Sequence, residues 1–255
     1  MRRRLAAVAV LGVLVAGCGQ GGSEVDIDIA ATAEPTDAAQ DEASAFTVDG
    51  VPDVVATVTT GLAAPWGIAF LPDGRAVVTE RDSGRVLIAT APDLEAKGAP
   101  KEGTTKEVGT IEETDARGEA GLLGVAVSPT FASDGLLYFY VSTEEDNRVV
   151  RAQLDGEELG ATEPVFTGIP VGERHNGGRL LFDAEGHLFV ATGEIGNKPL
   201  AQRKKSLAGK ILRITTDGDP APGNPFGTPV WSLGHRNVQG LTMDAEGSLW
   251  ASEFG

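Results

Sequence analysis

The feature that most constrains the fold is a two-strand unit that occurs four times after residue 60. Each copy has a short apolar run near a glycine, a turn that contains an acidic residue and a glycine, and a second apolar run. The copies span residues 66–80, 124–141, 178–192 and 240–253. Because glycine tolerates the positive φ of tight turns, Asp73-Gly74 and Glu185-Gly186 predict β-hairpins.

The spacing of the copies indicates a repeat architecture. The opening glycines, aligned as 67, 124, 178 and 240, are separated by 57, 54 and 62 residues. Further strand-like stretches fill the intervals, at residues 85–89, 147–152 and 210–214. About four strands per repeat is typical of one propeller blade. We therefore predict an all-β fold, a partial β-propeller of about four blades over residues 54–255. The alternative is a β-sandwich with accidental similarity between its hairpins.

The fourth copy stops at Gly255, directly after its second apolar run. Its outer strands would then be absent, and nothing would remain to close the ring of blades. We therefore expect the chain to be truncated at its C-terminus.

The N-terminal residues are typical of a targeting segment. Three arginines follow Met1, and the apolar run at residues 5–16 is too short to span a hydrocarbon core of ~30 Å. The run ends in Val-Ala-Gly before Cys18, the only cysteine. We predict a lipoprotein signal peptide at residues 1–18, with Cys18 lipidated and the protein exported and anchored to the outer face of the bacterial cell membrane. An ordinary signal peptide with an incidental cysteine is the alternative.

Residues 19–53 are predicted to be a disordered tether, because they are acidic, poorly apolar and without Lys or Arg. The whole chain has a net charge of −16. The basic run Arg203-Lys204-Lys205 is expected in a solvated loop, and no basic stripe exists that could displace counterions from phosphates. Nucleic acid is therefore excluded as a partner.

The residues that precede each opening glycine share one place in the repeat. Loops that enter the first strands of propeller blades open onto one rim of the central channel, so we expect these residues to converge there. Glu119, His175, His235 and Arg236 are among them, and they would form a polar pocket for a small anionic or hydroxylated ligand. Alternatively, the loops only make turns, with both histidines hydrogen-bonded to backbone. His187 falls in a hairpin turn and is expected to be exposed.

Several segments together resemble the soluble glucose/sorbosone dehydrogenase family. They read GLLGVA at 121–126, HNGGRL at 175–180, SLAGKILRI at 206–214, NPF at 224–226, GHRNVQGL at 234–241 and WASEFG at 250–255. The resemblance covers residues 54–255 in order. It implies a six-bladed propeller that carries pyrroloquinoline quinone (PQQ) and calcium at the channel mouth.

The resemblance also implies roles for individual residues. His175 is the general base that takes the proton of the anomeric hydroxyl, while Arg236 polarises the quinone oxygen and binds the cofactor together with Asn237. Glu119 matches a substrate-binding position near the sugar, and Gly255 matches a backbone ligand of calcium. A neutral His suits a base near pH 7, and an always-charged Arg suits developing oxyanion charge.

The resemblance implies oxidation of an aldose sugar to a lactone, with hydride transfer to the quinone and electrons passed to an unknown acceptor. Export is consistent with such a reaction. Since the parts expected beyond Gly255 would supply further cofactor contacts, we expect this form to bind PQQ poorly. The alternatives are a non-catalytic cell-surface propeller that binds a carbohydrate or protein and, less favoured, a calcium-dependent lactonase-like propeller, since the rim offers only Glu119 and Glu173 as carboxylates.

Overall fold

The structure is a computed structural model that describes residues 56–93 and 103–255. The predicted signal peptide, with Cys18, and the predicted tether lie outside the described residues. All described residues belong to one compact unit, residues 53–255. Within them, no helix is long and apolar enough to cross a membrane.

The described strands form four antiparallel sheets, each built around one of the hairpins found in the sequence. The first sheet has four strands in chain order: β1 (Pro65–Phe70), β2 (Ala76–Glu80), β3 (Arg85–Thr90) and β4 (Thr104–Thr110). The predicted turn at Asp73-Gly74 is confirmed, with Gly74 at φ 86° between β1 and β2.

The second and third sheets repeat this order with small additions. The second contains β5 (Leu122–Val127), β6 (Leu136–Ser142), β7 (Asn147–Asp155), β8 (Glu158–Leu159) and β9 (Glu163–Ile169), where β8 and β9 both pair with β7. A short helix, α1 (Phe131–Asp134), lies in its hairpin connection. The third contains β10 (Gly177–Phe182), β11 (Leu188–Thr192), β12 (Lys210–Ile214) and β13 (Val230–Leu233), with α2 (Lys198–Gln202) before β12.

The fourth sheet is the hairpin of β14 (Val238–Met243) and β15 (Leu249–Glu253). The order of strands, one hairpin after another in separate sheets, is that of propeller blades, so the predicted all-β propeller is confirmed. The basic run at residues 203–205 is exposed, as expected.

The sheets pack face to face in sequence, and this packing buries the apolar strand residues. Val77 and Phe139 belong to the core between the first and second sheets, Tyr140 and Val190 to the core between the second and third. Phe189 packs with Val238 of the fourth sheet. Burying each such side chain stabilises the fold by about 1.5–3 kcal/mol, so the hairpin repeat becomes a continuous stack.

The first strands of neighbouring blades approach one another closely. A Cβ at Gly124 of β5 would lie 2.0 Å from the carbonyl oxygen of Gly178 in β10, so only glycine fits there. Ile68, Val125 and Leu181 are among the residues of the first strands that line one shared cavity. The first strands of the blades therefore face a common space, as expected.

The hairpin register corrects the alignment of the repeats. Each hairpin begins with one cross-strand pair followed by a β-bulge: Pro65↔Glu80, Leu122↔Val141, Gly177↔Thr192 and Val238↔Glu253. Counted from these pairs, Arg179 rather than Gly178 corresponds to Gly67, Gly124 and Gly240. All four hairpins carry the bulge at the same place, so the difference comes from aligning the third copy on Gly178. His175 then corresponds to Arg236, and Asn176 to Asn237.

Candidate active site

His175 lies two residues before β10, in a left-handed backbone conformation that residues other than glycine seldom adopt. Its φ is 57°, in the left-handed region, and its side chain is buried. Two backbone hydrogen bonds fix it: its N–H donates to Glu119 Oε2 at 2.8 Å, and its carbonyl accepts from Ile195 N–H at 3.1 Å. Such conformations cost about 1–3 kcal/mol and cluster at functional sites, so His175 is a strong functional candidate.

The imidazole of His175 is paired with Glu194, which follows the end of β11. His175 Nδ1 hydrogen-bonds Glu194 Oε1, and Glu194 is only 1% exposed. Because a carboxylate oxygen only accepts, the proton of the neutral ring lies on Nδ1 and Nε2 keeps a free lone pair. The pair can therefore accept a proton at Nε2 and stabilise the imidazolium that results.

The backbone around Glu194 requires a close approach of two chain segments. A Cβ at Gly193 would lie 1.7 Å from the carbonyl oxygen of His175, so glycine is the only residue that fits. The N–H of Glu194 donates to the carbonyl of Arg236 at 2.8 Å. Glu194 therefore lies where the loops of the third and fourth hairpins meet.

A cavity of about 230 Å³ opens next to this pair, with walls from all four blades. It is lined by Trp66, Arg81, Glu119, Asn176, Gly177, Asn237, Gln239 and Phe254. The predicted convergence of the loops on one rim is confirmed for Glu119 and Asn237. His175 and Arg236 lie one residue before the lining residues Asn176 and Asn237, at the edge of the cavity.

Asn237 is buried and connects two blades. Its Oδ1 accepts from Gly177 N–H at 3.0 Å and from Gln239 Nε2 at 2.9 Å. Its amide nitrogen makes no hydrogen bond within the described part of the chain, so Nδ2 is left as a donor beside the cavity.

Arg236 is half-buried and is held by the fourth hairpin. Its N–H donates to Glu253 Oε2 at 2.8 Å, and its guanidinium contacts the carbonyl and the ring of Phe254. The backbone of Gly255, predicted to bind calcium, lies directly against this guanidinium. The calcium site stays a prediction.

His235 is held by side chains rather than by backbone. Its Nδ1 hydrogen-bonds Glu253 Oε1 at 2.6 Å and its Nε2 hydrogen-bonds Ser232 Oγ at 2.8 Å. Burial by itself would raise the pKa of Glu253, but the hydrogen bonds from His235 and from Arg236 N–H outweigh it and lower that pKa. The idea that the histidines bond only to backbone is therefore wrong for both rings, since each contacts a carboxylate.

Comparison with known proteins identifies the family of this chain. The model of the family described as Glucose / Sorbosone dehydrogenase matches residues 62–255. The chain belongs to this family.

The dehydrogenase family is also represented among the similar structures and curated proteins. The PQQ-bound aldose sugar dehydrogenase of Streptomyces coelicolor is 49% identical with a TM-score of 0.74, over 80% of this chain and 60% of that one. Aldose sugar dehydrogenase YliI of Escherichia coli is 32% identical over 75% of this chain and 53% of its own length. Quinoprotein glucose dehydrogenase B of Acinetobacter calcoaceticus is 26% identical over 78% and 47%. The chain thus spans about half the length of these two curated relatives.

Sequence reasoning missed Glu194, whose carboxylate hydrogen-bonds the ring of His175. A signal for it existed. In a hairpin, the end of the second strand lies beside the start of the first, so the residues after Thr192 must lie on the same rim as those before Gly177.

The prediction of an exposed His187 is wrong. Its side chain is 17% exposed and lies among Asp183, Glu185 and Arg213, with Nδ1 3.0 Å from Arg213 Nη2. The physical reason is the next strand, β12, which places Arg213 across the hairpin. Among the described residues, Asp183, Glu185 and His187 are the only group with metal-ligand geometry, but Arg213 already lies within 2.7 Å of both carboxylates.

Proposed function

We propose that this protein oxidises aldose sugars to lactones, with PQQ as the hydride acceptor in the cavity of about 230 Å³ described above, called the rim cavity from here on. The observation that carries the proposal is the buried His175–Glu194 pair beside a cavity whose lining includes two buried amides, Asn176 and Asn237, and one cation, Arg81. The similarity to a PQQ-bound aldose sugar dehydrogenase supports the same chemistry.

The residues of the rim cavity fit PQQ. The cofactor is a planar aromatic quinone with carboxylates, and the cavity offers the aromatic rings of Trp66 and Phe254 together with Arg81. Arg236 at its edge and Nδ2 of Asn237 would hold the cofactor through its oxygens. When bound, PQQ supplies the acceptor for the hydride that leaves the sugar.

The chain's own residues perform the proton transfer. Nε2 of His175 accepts the proton of the anomeric hydroxyl, and Glu194 stabilises the positive charge that the ring acquires. The electron pair of the O–H bond becomes the second bond of the new C=O group, and the hydride leaves carbon with both electrons of the C–H bond. The proton on His175 and the hydride on the acceptor thus balance the oxidation of the sugar. Glu119 has an exposed carboxylate at the cavity wall, where it would accept a hydrogen bond from a sugar hydroxyl.

The proposal includes calcium, with the carbonyl of Gly255 among its ligands. It also includes a second electron acceptor, of open identity, that reoxidises the reduced PQQ.

The proposal further includes export and lipid anchoring through Cys18. A Cys18→Ser variant tests the anchor: the protein should move from the membrane fraction to the soluble fraction of cells. Unchanged membrane association would contradict it.

The catalytic proposal is tested by dye reduction with a panel of aldoses after addition of PQQ and calcium. Reduction that depends on both PQQ and an aldose is expected. If sugars bind but no aldose reduces the dye, the non-catalytic carbohydrate-binding propeller is the better description.

A further inference from the structure

A chain of buried polar side chains from the second blade reaches the backbone segment that carries His175. The hydroxyl of Tyr140, on β6, donates to the carbonyl of Asn176 at 2.8 Å. Tyr140 is completely buried, and burial raises the pKa of its hydroxyl well above the usual value, so the group remains a donor. This contact fixes the peptide between Asn176 and Gly177, one residue after His175.

A second contact fixes the side chain of the same residue. Asn147, at the start of β7, donates from Nδ2 to Asn176 Oδ1 at 3.0 Å and to the carbonyl of Pro170 at 2.8 Å. Ser142 Oγ donates in turn to Asn147 Oδ1 at 2.6 Å. Both Asn147 and Ser142 are 0% exposed, so losing a partner would leave a buried polar atom unpaired.

Asn176 uses this support to close the loop in front of His175. Its Nδ2 donates to the carbonyl of Gly172 at 2.7 Å, and its Oδ1 accepts from Gly172 N–H at 2.9 Å. The loop from 172 to 176 is therefore tied at both ends to one side chain. A residue with a left-handed backbone, such as His175, persists only where its surroundings over-determine it.

We propose that Tyr140, Asn147 and Ser142 are positioning residues that hold His175 in its left-handed conformation. None of them is among the residues that line the rim cavity. From the second blade, Tyr140 holds the backbone carbonyl of Asn176, and Asn147, supported by Ser142, holds its side chain. Glu194, from the third blade, hydrogen-bonds the imidazole. The orientation of Nε2 then depends on contacts from both blades. The catalytic part of this inference rests on the proposed function, whereas the structural part does not.

Tyr140→Phe tests the inference, with Tyr138→Phe as the matched control. Tyr138 is also buried on β6, but its ring packs against Phe182 and its hydroxyl interacts with Arg151, away from the loop. Amide hydrogen exchange is measured on the full chain without cofactor. The amides of residues 172–177 should exchange about tenfold faster in Tyr140→Phe, as expected for one lost buried hydrogen bond, and unchanged in Tyr138→Phe.

Ser142→Ala supplies a second variant that removes little volume. Its effect on the same amides should be smaller than that of Tyr140→Phe, because Ser142 reaches Asn176 only through Asn147. Unchanged exchange at 172–177 in both variants, or equal acceleration in the Tyr138→Phe control, overturns the inference.

The kinetic part is measured with the PQQ-loaded protein and an aldose. Tyr140→Phe should lower kcat about tenfold while KM changes less than twofold, since binding groups stay in place. Faster exchange with an unchanged kcat would overturn the positioning role. If the unsubstituted protein oxidises no aldose, the proposed function fails on its own. The exchange measurement still decides whether Tyr140, Asn147 and Ser142 hold the backbone around His175.

Discussion

The loops that lead into the third and fourth hairpins occupy the same place in the repeat, yet they present different chemistry. In the third, His175 and its partner Glu194 are both buried, and Glu194 is 1% exposed. In the fourth, Arg236 takes the equivalent place, and the side chain of Glu253 is 33% exposed. Each loop thus pairs with one carboxylate, but only the third buries the pair. The repeat sets the position, and packing by the neighbouring blades sets the burial that makes a histidine useful as a base.

The largest expected effect separates the two histidines of these loops. His175→Gln should lower the rate of aldose oxidation by about 10³-fold, because it removes a positioned general base. His235→Gln, in the fourth loop, should lower it less than tenfold, because His235 contacts Ser232 and Glu253 instead. Steady-state dye reduction with each purified variant measures both. Equal losses would mean that burial of the pair does not distinguish the loops.

Substitution of the carboxylate in the third loop, Glu194, should lower kcat more than substitution of the carboxylate in the fourth loop, Glu253. Glu194→Gln should cost about 10² in kcat, since an amide neither fixes the ring proton on Nδ1 nor stabilises the imidazolium. Glu253→Gln serves as the matched control and should retain most of the activity. A Glu194→Gln variant with normal kcat would remove Glu194 from the account.

The third blade should also show an effect of pH in the alkaline range. Lys210 is completely buried, and its ammonium donates to the carbonyls of Leu200, Ala201 and Ala208, at 2.7–2.9 Å. Burial lowers the pKa of Lys210 from 10.5 to about 8. Since the folded state binds this proton less tightly than the unfolded state, the contribution of Lys210 to stability is complete above pH 10.5 and is lost as the pH falls through 8.

The unfolding free energy should therefore rise by about 2 kcal/mol between pH 8 and 10.5, relative to a Lys210→Met variant. Urea unfolding at several pH values measures this difference. Parallel pH profiles for the two proteins would show that the buried ammonium does not titrate in this range.

The smallest effect is expected in the fourth blade. Burial by itself would raise the pKa of Glu253. The hydrogen bonds from His235 and from the N–H of Arg236 outweigh burial, so this pKa is lowered in the folded state. Its contribution to stability is present above pH 4.5 and lost as the pH falls below that value. Because the group is a third exposed, Glu253→Gln should cost only about 0.5 kcal/mol near neutral pH. Urea unfolding at pH 7 and pH 4 tests this. A loss of unfolding free energy in Glu253→Gln above the ~2 kcal/mol change expected for Lys210 would reverse the order of the two blades.

The sequence predicts much of the fold because hairpin chemistry is local. Asp73-Gly74 and Glu185-Gly186 carry the turn signal within two residues, and near-equal spacing then places Glu119 and Asn237 on one rim. The exact register of the third copy could not be predicted, since its adjacent glycines, Gly177 and Gly178, offer more than one alignment. The cross-strand pairs make Arg179 rather than Gly178 the equivalent of Gly67.

The missed contacts are those between residues that are distant in the chain. The surroundings of His187 depend on Arg213, which arrives from the next strand, 26 residues later. The pairing of His175 with Glu194 depends on the full length of the third hairpin. The hydrogen bond from Tyr140 to the carbonyl of Asn176 depends on packing between two blades, which no local sequence pattern encodes.

The proposed division of labour, in which the buried pair at the third loop accepts the sugar's proton while the rim cavity holds PQQ, can be separated into binding and chemistry. The unsubstituted protein and His175→Gln are compared by titration of PQQ and then by anaerobic single-turnover reduction of the bound quinone by an aldose. We expect both proteins to bind PQQ with similar affinity and only the unsubstituted one to reduce it rapidly. Equal reduction rates in the two proteins would show that His175 is not the base.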